Sequence, residues 1–297
     1  MHDVEETVGR LTVSPPALLV PADDNNYKNN QPGCLLLKDY IHKDYVQRLA
    51  FNRLNTFDLI WAYKQEWFEE PNSRRGGWSG VGRLELSTKQ GTFKVFLKRQ
   101  ENHQRRTAWH PFAGEPTFGC EFRTMMYLQR RGVPVPVPVF FGKRTVNGHA
   151  RAILMTEELV GFKSLEDVTS DLFSEGKVDV SVQRQILRGV AAAVKSLHAA
   201  RIQHRSLYPK HLFVRWPCES IPEVVVIDLE KSRVKWITAI RTVYDLATLN
   251  RHAAHWSRTA RMYFFLNYLG VPRLTRWQKL LCRLIVKRTV KRKRLTS

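Results

Sequence analysis

Several features that define common protein classes are scarce or missing in this sequence of 297 residues. Its four cysteines are widely scattered and form no CxxC pair, so metal-site spacing is absent and a reduced cytosolic compartment is the simplest assignment. There is no run of about eighteen apolar residues, so we expect no membrane-spanning helix. The first residues lack the basic start and apolar stretch of a secretory signal.

Acidic residues are also few, and none occurs after Asp245, while lysine and arginine continue to the end of the chain. The formal net charge is +21 and the sequence pI is about 10.2. Such a charge favours partners that are nucleic acid, anionic membrane surfaces or highly phosphorylated substrates. The chain therefore combines a nearly balanced body with a strongly basic tail.

Periodicity predicts an α+β protein with a β-rich N-terminal lobe and a helical C-terminal lobe. An alternating pattern around Gly91 predicts a β-hairpin, and residues 118–131 and 182–200 predict amphipathic helices. We predict four segments: a flexible extension, an N-lobe, a C-lobe and a basic amphipathic tail, at residues 1–30, 31–158, 159–272 and 273–297.

Candidate phosphate-binding groups occur in the first lobe. Gly77, Gly80 and Gly82 could allow backbone N–H groups to approach phosphate oxygens, although a glycine cluster is more often a turn. Lys98 ends an alternating strand beside an apolar layer, where an ammonium group needs an anionic partner. Glu121, near the start of the next predicted helix, is well placed to be that partner.

The segment after the second long helix, residues 204–211, has the sequence HRSLYPKH. It has the frame of the protein kinase catalytic loop, H-R-D-x-x-x-x-N. His204 and Arg205 match that frame, whereas Ser206 replaces the catalytic aspartate and His211 replaces the asparagine.

Two carboxylates and a connecting segment complete the pattern. Asp228 follows a short apolar strand and suits Mg²⁺, which prefers carboxylate and phosphate oxygens. Asp245 lies where kinases place a buried aspartate that braces the catalytic loop. Glu157 and Leu159 fall in a predicted hinge whose backbone would meet adenine. These features occur in the order that a protein kinase uses, so we predict a bilobal kinase-like fold that binds ATP and Mg²⁺.

Residues 202–213 resemble the Kdo/WaaP lipopolysaccharide kinase family, in its InaA-like branch. The likeness rests on Tyr208 and His211 in the loop and on the IDL sequence at residues 227–229. Residues 119–122 and 244–247 also look like signatures of this family, and the resemblance covers roughly residues 74–254.

The resemblance implies a kinase that transfers phosphate from ATP to a heptose of the lipopolysaccharide inner core, at the cytoplasmic face of the inner membrane. It also implies that Lys98 binds phosphates, that Glu121 pairs with it, and that Asp228 binds Mg²⁺ with His211 beside the second metal or stabilising the loop. Ser206 departs from the family pattern, because a serine cannot accept a proton at neutral pH as a carboxylate can.

The basic tail has its own pattern. Apolar residues recur at helical spacing from Trp277 to Ile285, and basic residues occupy the other faces. A basic amphipathic helix with an interfacial tryptophan is typical of a membrane-surface element. We expect this helix to pack partly on the C-lobe and to present a basic end to the membrane.

Three alternatives remain open. A nucleic-acid-binding protein would fit the charge, but zinc and RNP motifs are missing, so we expect no nucleic-acid partner. A protein kinase would need a longer segment between Asp228 and Asp245 to support a peptide substrate. A weak or inactive pseudokinase, acting as a membrane-surface binding module in core assembly, is supported by Ser206 alone.

Overall fold

The computed structural model describes residues 39–68, 70–74, 76–89, 91–106, 112, 114–174, 179–216 and 221–293. The predicted extension at residues 1–30 lies outside the described residues. The other predicted segment boundaries stay predictions.

An antiparallel sheet dominates the first half of the described chain. Its strands are β1 (Tyr40–Ile41), β2 (Asn72–Arg74), β3 (Gly77–Thr88), β4 (Gly91–Glu101), β7 (Pro138–Val146) and β8 (His149–Glu157). They are ordered β1-β7-β8-β4-β3-β2. Two short strands, β5 (Gln104–Arg105) and β6 (Glu115–Pro116), pair with each other beside this sheet.

The predicted hairpin around Gly91 is confirmed by the pairing of β3 with β4. Thr88 lies opposite Gly91 and Leu84 lies opposite Val95. Because successive side chains on a strand point to opposite faces, this register puts Leu84, Val95 and Leu97 on one face and Lys98 on the other.

Two short helices cover the face of the sheet opposite Lys98. These are α1 (Val46–Phe51) and α2 (Phe57–Ala62). Leu49 and Ile60 from these helices join Leu97 and Ile153 from the sheet in one core, and all four side chains are fully buried. Burial of each such side chain stabilises the fold by about 1.5–3 kcal/mol.

Helix α3 (Thr117–Gln129) packs on the Lys98 face of the sheet. Phe122 and Met125 lie on its buried side, and the helix ends before Gly132, which has a φ of 66°. A positive φ favours glycine because glycine has no Cβ. The predicted helix at residues 118–131 is thus confirmed with slightly earlier limits.

The second half of the described chain is mainly helical. Its helices are α4 (Leu165–Ser174), α5 (Val180–Ala199), α6 (Thr238–Arg251), α7 (Arg258–Leu269) and α8 (Arg276–Lys293). Its strands are β9 (Lys163–Ser164), β10 (Ile202–Gln203), β11 (Leu212–Arg215), β12 (Glu223–Val226) and β13 (Arg233–Val234). Helix α5 buries Ile186, Val190 and Val194 as its periodicity predicts.

Helix α8 divides its apolar residues between two environments. Ile285 is 6% exposed and packs with the C-lobe core, whereas Trp277 is 80% exposed. In the described part of the chain, no helix has the length and apolar character needed to cross a membrane.

Candidate active site

The Lys98 side chain forms a short ion pair across the first lobe. Its Nζ lies 2.7 Å from Oε1 of Glu121, which projects from α3. The Glu121 carboxylate is almost fully buried, and a fifth of the Lys98 side chain is exposed. The pair therefore fixes α3 against β4 and leaves one side of the ammonium group accessible.

The charge balance around Lys98 extends beyond this pair. Burial favours the neutral amine, but the Glu121 carboxylate outweighs that effect, so the pKa of Lys98 lies above its ordinary value. Asp228 and Glu230 raise the pKa further, which requires these side chains to lie near Lys98. Lys98, Glu121 and Asp228, predicted as parts of one site, are therefore brought together.

The structure gives Gly80 and Gly82 a packing role, while their approach to phosphate oxygens stays a prediction. In the β3–β4 register Gly80 lies opposite Arg99 and Gly82 opposite Leu97, so both glycines face away from Lys98. A Cβ at Gly80 would overlap the Trp67 ring, and one at Gly82 would overlap the side chain of Gln65. Glycine is needed at these positions because residues 63–68 cross the outer face of the sheet.

Gly77 lies elsewhere, at the start of β3 where that strand turns from β2. A Cβ at Gly77 would overlap the backbone of Glu101 and Asn102. The close approach of two strands therefore accounts for this glycine. Packing alone therefore explains why glycine occurs at these three positions.

The predicted hinge residues follow the end of the sheet. Glu157 is the last residue of β8, and its N–H donates to the Val137 carbonyl at 2.9 Å. The Leu159 carbonyl accepts a hydrogen bond from the N–H of Phe162 at 3.2 Å. Glu158 between them pairs with Arg83 at 2.8 Å. This segment links the sheet to the helical lobe.

Asp245 braces the catalytic-loop segment, as predicted. Its Oδ2 accepts the N–H of His204 at 2.7 Å, and its Oδ1 accepts the N–H of Arg205 at 2.9 Å. Arg205 has a φ of 70°, in the left-handed region that non-glycine residues rarely adopt. The two hydrogen bonds donated to this fully buried carboxylate stabilise the uncommon conformation.

His204 and Ser206 lie inside this braced segment. The Nε2–H of His204 donates to the Ile227 carbonyl at 2.9 Å, and its Nδ1 accepts the N–H of Ser206 at 3.3 Å. Burial lowers the pKa of His204, which is therefore neutral at pH 7. The His204 side chain thus ties the loop to the strand that leads to Asp228. Ser206 is only 4% exposed.

Asp228 combines a strained backbone with a perturbed carboxyl group. Its φ is 58°, again in the left-handed region. Burial and the nearby charges of Glu121 and Glu230 raise the pKa of Asp228 to about 7. Uncommon backbone conformations and raised carboxyl pKa values are both concentrated at functional sites.

His211 joins the loop to Asp228. Its Nδ1 lies 2.8 Å from the Ser206 carbonyl and 3.3 Å from Oδ2 of Asp228. Burial lowers the pKa of His211 to about 4, so its ring is neutral at pH 7 and the contact with Asp228 is not an ion pair. A neutral ring that donates through Nδ1 keeps Nε2 available as a ligand or acceptor.

Asp228 offers one carboxylate ligand of the kind that Mg²⁺ uses, although no group of three or more potential metal ligands occurs among the described residues. Mg²⁺ is bound in proteins by one or two carboxylates together with phosphate oxygens and water. The Asp228 carboxyl has a raised pKa because neighbouring carboxylates repel its negative form, and a cation would relieve that repulsion. Asp228 could therefore hold the ion, with His211 at its side.

Sequence reasoning missed a buried network behind Asp245. His198 of α5 donates to Oδ2 of Asp245 at 3.1 Å and accepts from the Tyr268 hydroxyl at 2.8 Å. Thr242 also lies 2.8 Å from that hydroxyl. The signal was a histidine on the apolar stripe of α5, because a buried imidazole requires polar partners.

Sequence reasoning also missed Arg105. Its guanidinium donates to the carbonyl of Glu230 and, at 3.2 Å, to the carbonyl of Ser232. It thereby connects the first lobe to the segment that follows Asp228. Nothing in the local sequence pattern of Arg105 indicates this contact, since it depends on the packing of the two lobes.

Comparison with known proteins agrees with this geometry. The sequence model of the Lipopolysaccharide kinase (Kdo/WaaP) family matches residues 58–268. The chain is 32% identical over 217 residues to Protein InaA of Escherichia coli K12, covering 71% of this chain and 97% of that protein. It is 32% identical over 126 residues to the lipopolysaccharide core heptose(I) kinase WaaP of Escherichia coli, covering 40% of this chain and 47% of WaaP.

A similar architecture occurs in the solved structure of WaaP in complex with acyl carrier protein. The TM-score is 0.63 at 20% sequence identity, and the match covers 88% of this chain and 100% of that chain. This likeness confirms the predicted α+β, bilobal kinase-like fold.

Proposed function

Because the chain belongs to the lipopolysaccharide kinase (Kdo/WaaP) family, we propose that it transfers a phosphoryl group from ATP to a heptose hydroxyl of the lipopolysaccharide inner core. The observation that carries the proposal is the cluster of Lys98, Glu121 and Asp228, in which Glu121 lies 2.7 Å from the Lys98 ammonium group and its negative charge raises the pKa values of Lys98 and Asp228. Phosphoryl transfer depends mainly on positioning and on stabilisation of phosphate charge, and this cluster has the groups to provide both.

Each side of the cluster has a role in the proposed reaction. Lys98 binds phosphate oxygens of ATP, and Glu121 holds the ammonium group in position at 2.7 Å. Asp228 and His211 hold Mg²⁺, which when bound supplies further positive charge to the phosphate oxygens. Glu157 and Leu159 present backbone groups to the adenine.

The acceptor side lacks the usual carboxylate base. Ser206 occupies that position, and its hydroxyl is not basic at neutral pH. A positioned base typically contributes about 10²–10⁴-fold to a rate. Because the transition state of phosphoryl transfer is loose, we propose that the enzyme is slow rather than inactive.

We further propose that the protein acts at the cytoplasmic face of the inner membrane as a peripheral protein. Helix α8 lies beyond the residues matched by the family, and it exposes Trp277, Leu280 and Leu284 along one side. Lysine and arginine side chains surround this exposed stripe. Each basic group near an anionic membrane contributes about 1 kcal/mol to binding, and exposed tryptophan favours the interface.

The relative WaaP has been solved in complex with an acyl carrier protein. An acyl carrier protein is therefore a candidate partner of this chain as well. The net charge of +21 is complementary to a partner with an acidic surface.

The test is mass spectrometry of lipopolysaccharide core from cells that produce the wild-type chain or Asp228→Ala. We expect the wild type to add about 80 Da, one phosphoryl group, and Asp228→Ala to lose that mass. Asp171→Asn is the control, because Asp171 is an exposed carboxylate on α4 that pairs only with Lys163 among the described contacts.

Two results would overturn the proposal. If the lipopolysaccharide core had the same mass in wild-type and Asp228→Ala cells, the proposed kinase activity would be wrong. If purified wild type also bound nucleotide without transferring phosphate, the membrane-surface binding module suggested by Ser206 would be the better hypothesis.

A further inference from the structure

Two exposed arginines are brought together by the pairing of β10 with β13. Gln203 of β10 lies opposite Arg233 of β13. Arg205 follows Gln203 by two residues, at the start of the loop that contains Ser206. The strand register therefore brings the backbone of Arg233 close to the start of the catalytic loop, two residues before Arg205.

A third guanidinium group approaches from the first lobe. Arg105 donates to the carbonyls of Glu230 and Ser232, the latter at 3.2 Å, and Ser232 immediately precedes Arg233. Partial burial lowers the pKa of Arg233, and the positive charges of Arg205 and Arg105 lower it further. Mutual repulsion of this kind agrees with the proximity that the hydrogen bonds and the strand register indicate.

Glu115 lies opposite Arg105 in the pairing of β5 with β6, but the structure describes no ion pair between the two side chains. The acidic residues on the same segments pair with other cations: Glu115 with Arg123 at 2.5 Å and Glu230 with Lys231 at 3.8 Å. No ion pair to Arg105, Arg205 or Arg233 occurs within the part of the chain that the structure describes.

Two buried polar atoms beside the cluster also lack partners within the described chain. They are Nε of Arg105 and Oγ of Ser232. Ser232 is 3% exposed, so water has little access to its hydroxyl group. Both atoms are too deeply buried for a ligand to contact them directly, so an anion held by the exposed guanidinium groups would act on them only through space.

The segment between Asp228 and α6 is short and leaves the cluster open to large ligands. Val234 is 51% exposed and Trp236 is 71% exposed. The guanidinium group of Arg201 lies 4.2 Å from the centre of the Trp236 ring. The cluster is thus bordered by a partly apolar surface beside the catalytic loop.

We propose that Arg105, Arg205 and Arg233 bind a phosphate or carboxylate group of the acceptor. This inference rests on the proposed function and extends it to acceptor recognition. A planar guanidinium group matches the two oxygens of such an anion, and charge-assisted bonds are stronger than neutral ones. Since Arg205 adjoins Ser206, an anion held here orients the acceptor next to the position of transfer.

The first test measures acceptor kinetics with purified lipopolysaccharide core at saturating ATP. We expect Arg233→Gln to raise the KM for the core about tenfold, the equivalent of one charge-assisted contact, and to leave kcat and the KM for ATP unchanged. Arg233→Lys should recover part of the affinity, because lysine keeps the charge without the paired donors. Arg188→Gln, an exposed arginine on α5, should behave as wild type.

An unchanged KM for the core in Arg233→Gln would overturn the inference. A second preparation of the core, treated with phosphatase, distinguishes the two anions. If Arg233→Gln no longer raises the KM for phosphatase-treated core, the bound group is a phosphate. If the increase in KM persists, the bound group is a carboxylate.

The second test does not depend on kinase activity. We expect inorganic phosphate to raise the Tm of the wild-type protein more than chloride does at equal ionic strength, and to raise that of Arg233→Gln less. If wild type transfers no phosphate but this difference persists, the kinase proposal fails and the anion site stands. If transfer is intact and the difference is absent, the anion site fails alone.

Discussion

The candidate active site has two sides, which we call the sheet wall (Lys98 and Glu121) and the loop wall (residues 204–211, Asp228 and Asp245). The two walls differ in how closely they follow the kinase pattern. On the sheet wall, Lys98 and Glu121 form the expected buried ion pair at 2.7 Å. On the loop wall, the backbone is braced by Asp245, yet Ser206 and His211 replace the usual aspartate and asparagine. The charged groups of the proposed phosphate site are present, whereas a serine replaces the base on the proposed acceptor side and a histidine replaces the asparagine on the proposed metal side. If the proposed function holds, we expect variants on the two walls to affect nucleotide binding and transfer to the acceptor differently.

The largest effect is expected from substitution of Asp228, which lies on the loop wall and near Lys98 of the sheet wall. We expect Asp228→Asn to lower phosphate transfer by more than about 10³-fold, because the amide cannot offer a charged ligand to the metal. Transfer of labelled phosphate to purified core measures the effect, with Asp171→Asn as the control. A loss smaller than about tenfold would mean that metal binding does not depend on the loop wall.

A second prediction separates stability from catalysis on the sheet wall. Lys98→Met should destabilise the fold by about 3 kcal/mol, because it leaves the buried Glu121 carboxylate without its partner. Denaturant unfolding measures this change. The double variant Lys98→Met with Glu121→Gln should recover most of the stability but none of the transfer activity.

Recovery of activity in that double variant would contradict a direct role for Lys98. Lys163→Met is a suitable control, because Lys163 pairs with Asp171 at the exposed surface, and surface pairs contribute about 0–1 kcal/mol.

A third prediction uses the opposite pKa shifts of two contacting groups on the loop wall. The pKa of Asp228 is raised from 3.8 to about 7, so the folded state retains a proton that the unfolded state releases, and stability falls as pH rises through this window. The pKa of His211 is lowered from 6.5 to about 4, so the unfolded state binds more protons, and stability rises with pH through that window. The two contributions partly cancel in the wild type.

Single variants should reveal each contribution in protein without nucleotide or metal. The Tm of Asp228→Asn minus that of the wild type should increase by a few degrees as the pH rises from about 4 to about 7. The relative Tm of His211→Asn should increase as pH falls from about 6.5 to 4. If the curves of Tm against pH were parallel for the wild type and both variants, they would contradict the shifted pKa values of Asp228 and His211.

The smallest effect is expected at the position that departs most from the kinase pattern. Ser206→Ala should change kcat by less than about twofold, since a neutral hydroxyl contributes little as a base. Single-turnover measurements isolate the chemical step. A loss of about 10²-fold would instead identify Ser206 as a functional group in the transfer.

The sequence allowed prediction of those site residues whose position follows from a strand or helix. Lys98 lies on a strand with a clear alternation, although β4 continues to Glu101 beyond the predicted end, Glu121 lies near the start of an amphipathic helix, and Asp245 lies on a helix behind the loop. Local periodicity sets the direction of each side chain, so their convergence followed once the order of elements was known. The α+β class and the predicted β3–β4 hairpin followed from the same patterns.

The surroundings of other residues could not be predicted from local pattern. Gly80 and Gly82 have the spacing of a phosphate-binding loop, but the side chains of Trp67 and Gln65 occupy the space next to them. The apolar residues of α8 form one stripe in sequence, yet Ile285 is buried and Trp277 is exposed. The neighbours of these glycines belong to residues 63–68, and the core that buries Ile285 is built by earlier helices, so neither environment follows from the pattern within one element.

By itself, the sequence determined the α+β architecture, the surplus of positive charge and the order of the candidate catalytic groups, because these depend on composition and on periodicity within single elements. Only the tertiary structure decided which charges meet. The contact of Arg105 with the segment after Asp228, the pKa shifts of Asp228 and His211, and the cluster at Arg233 all arise between elements far apart in the chain. Electrostatic and desolvation energies depend on distance in space, which a linear pattern does not contain.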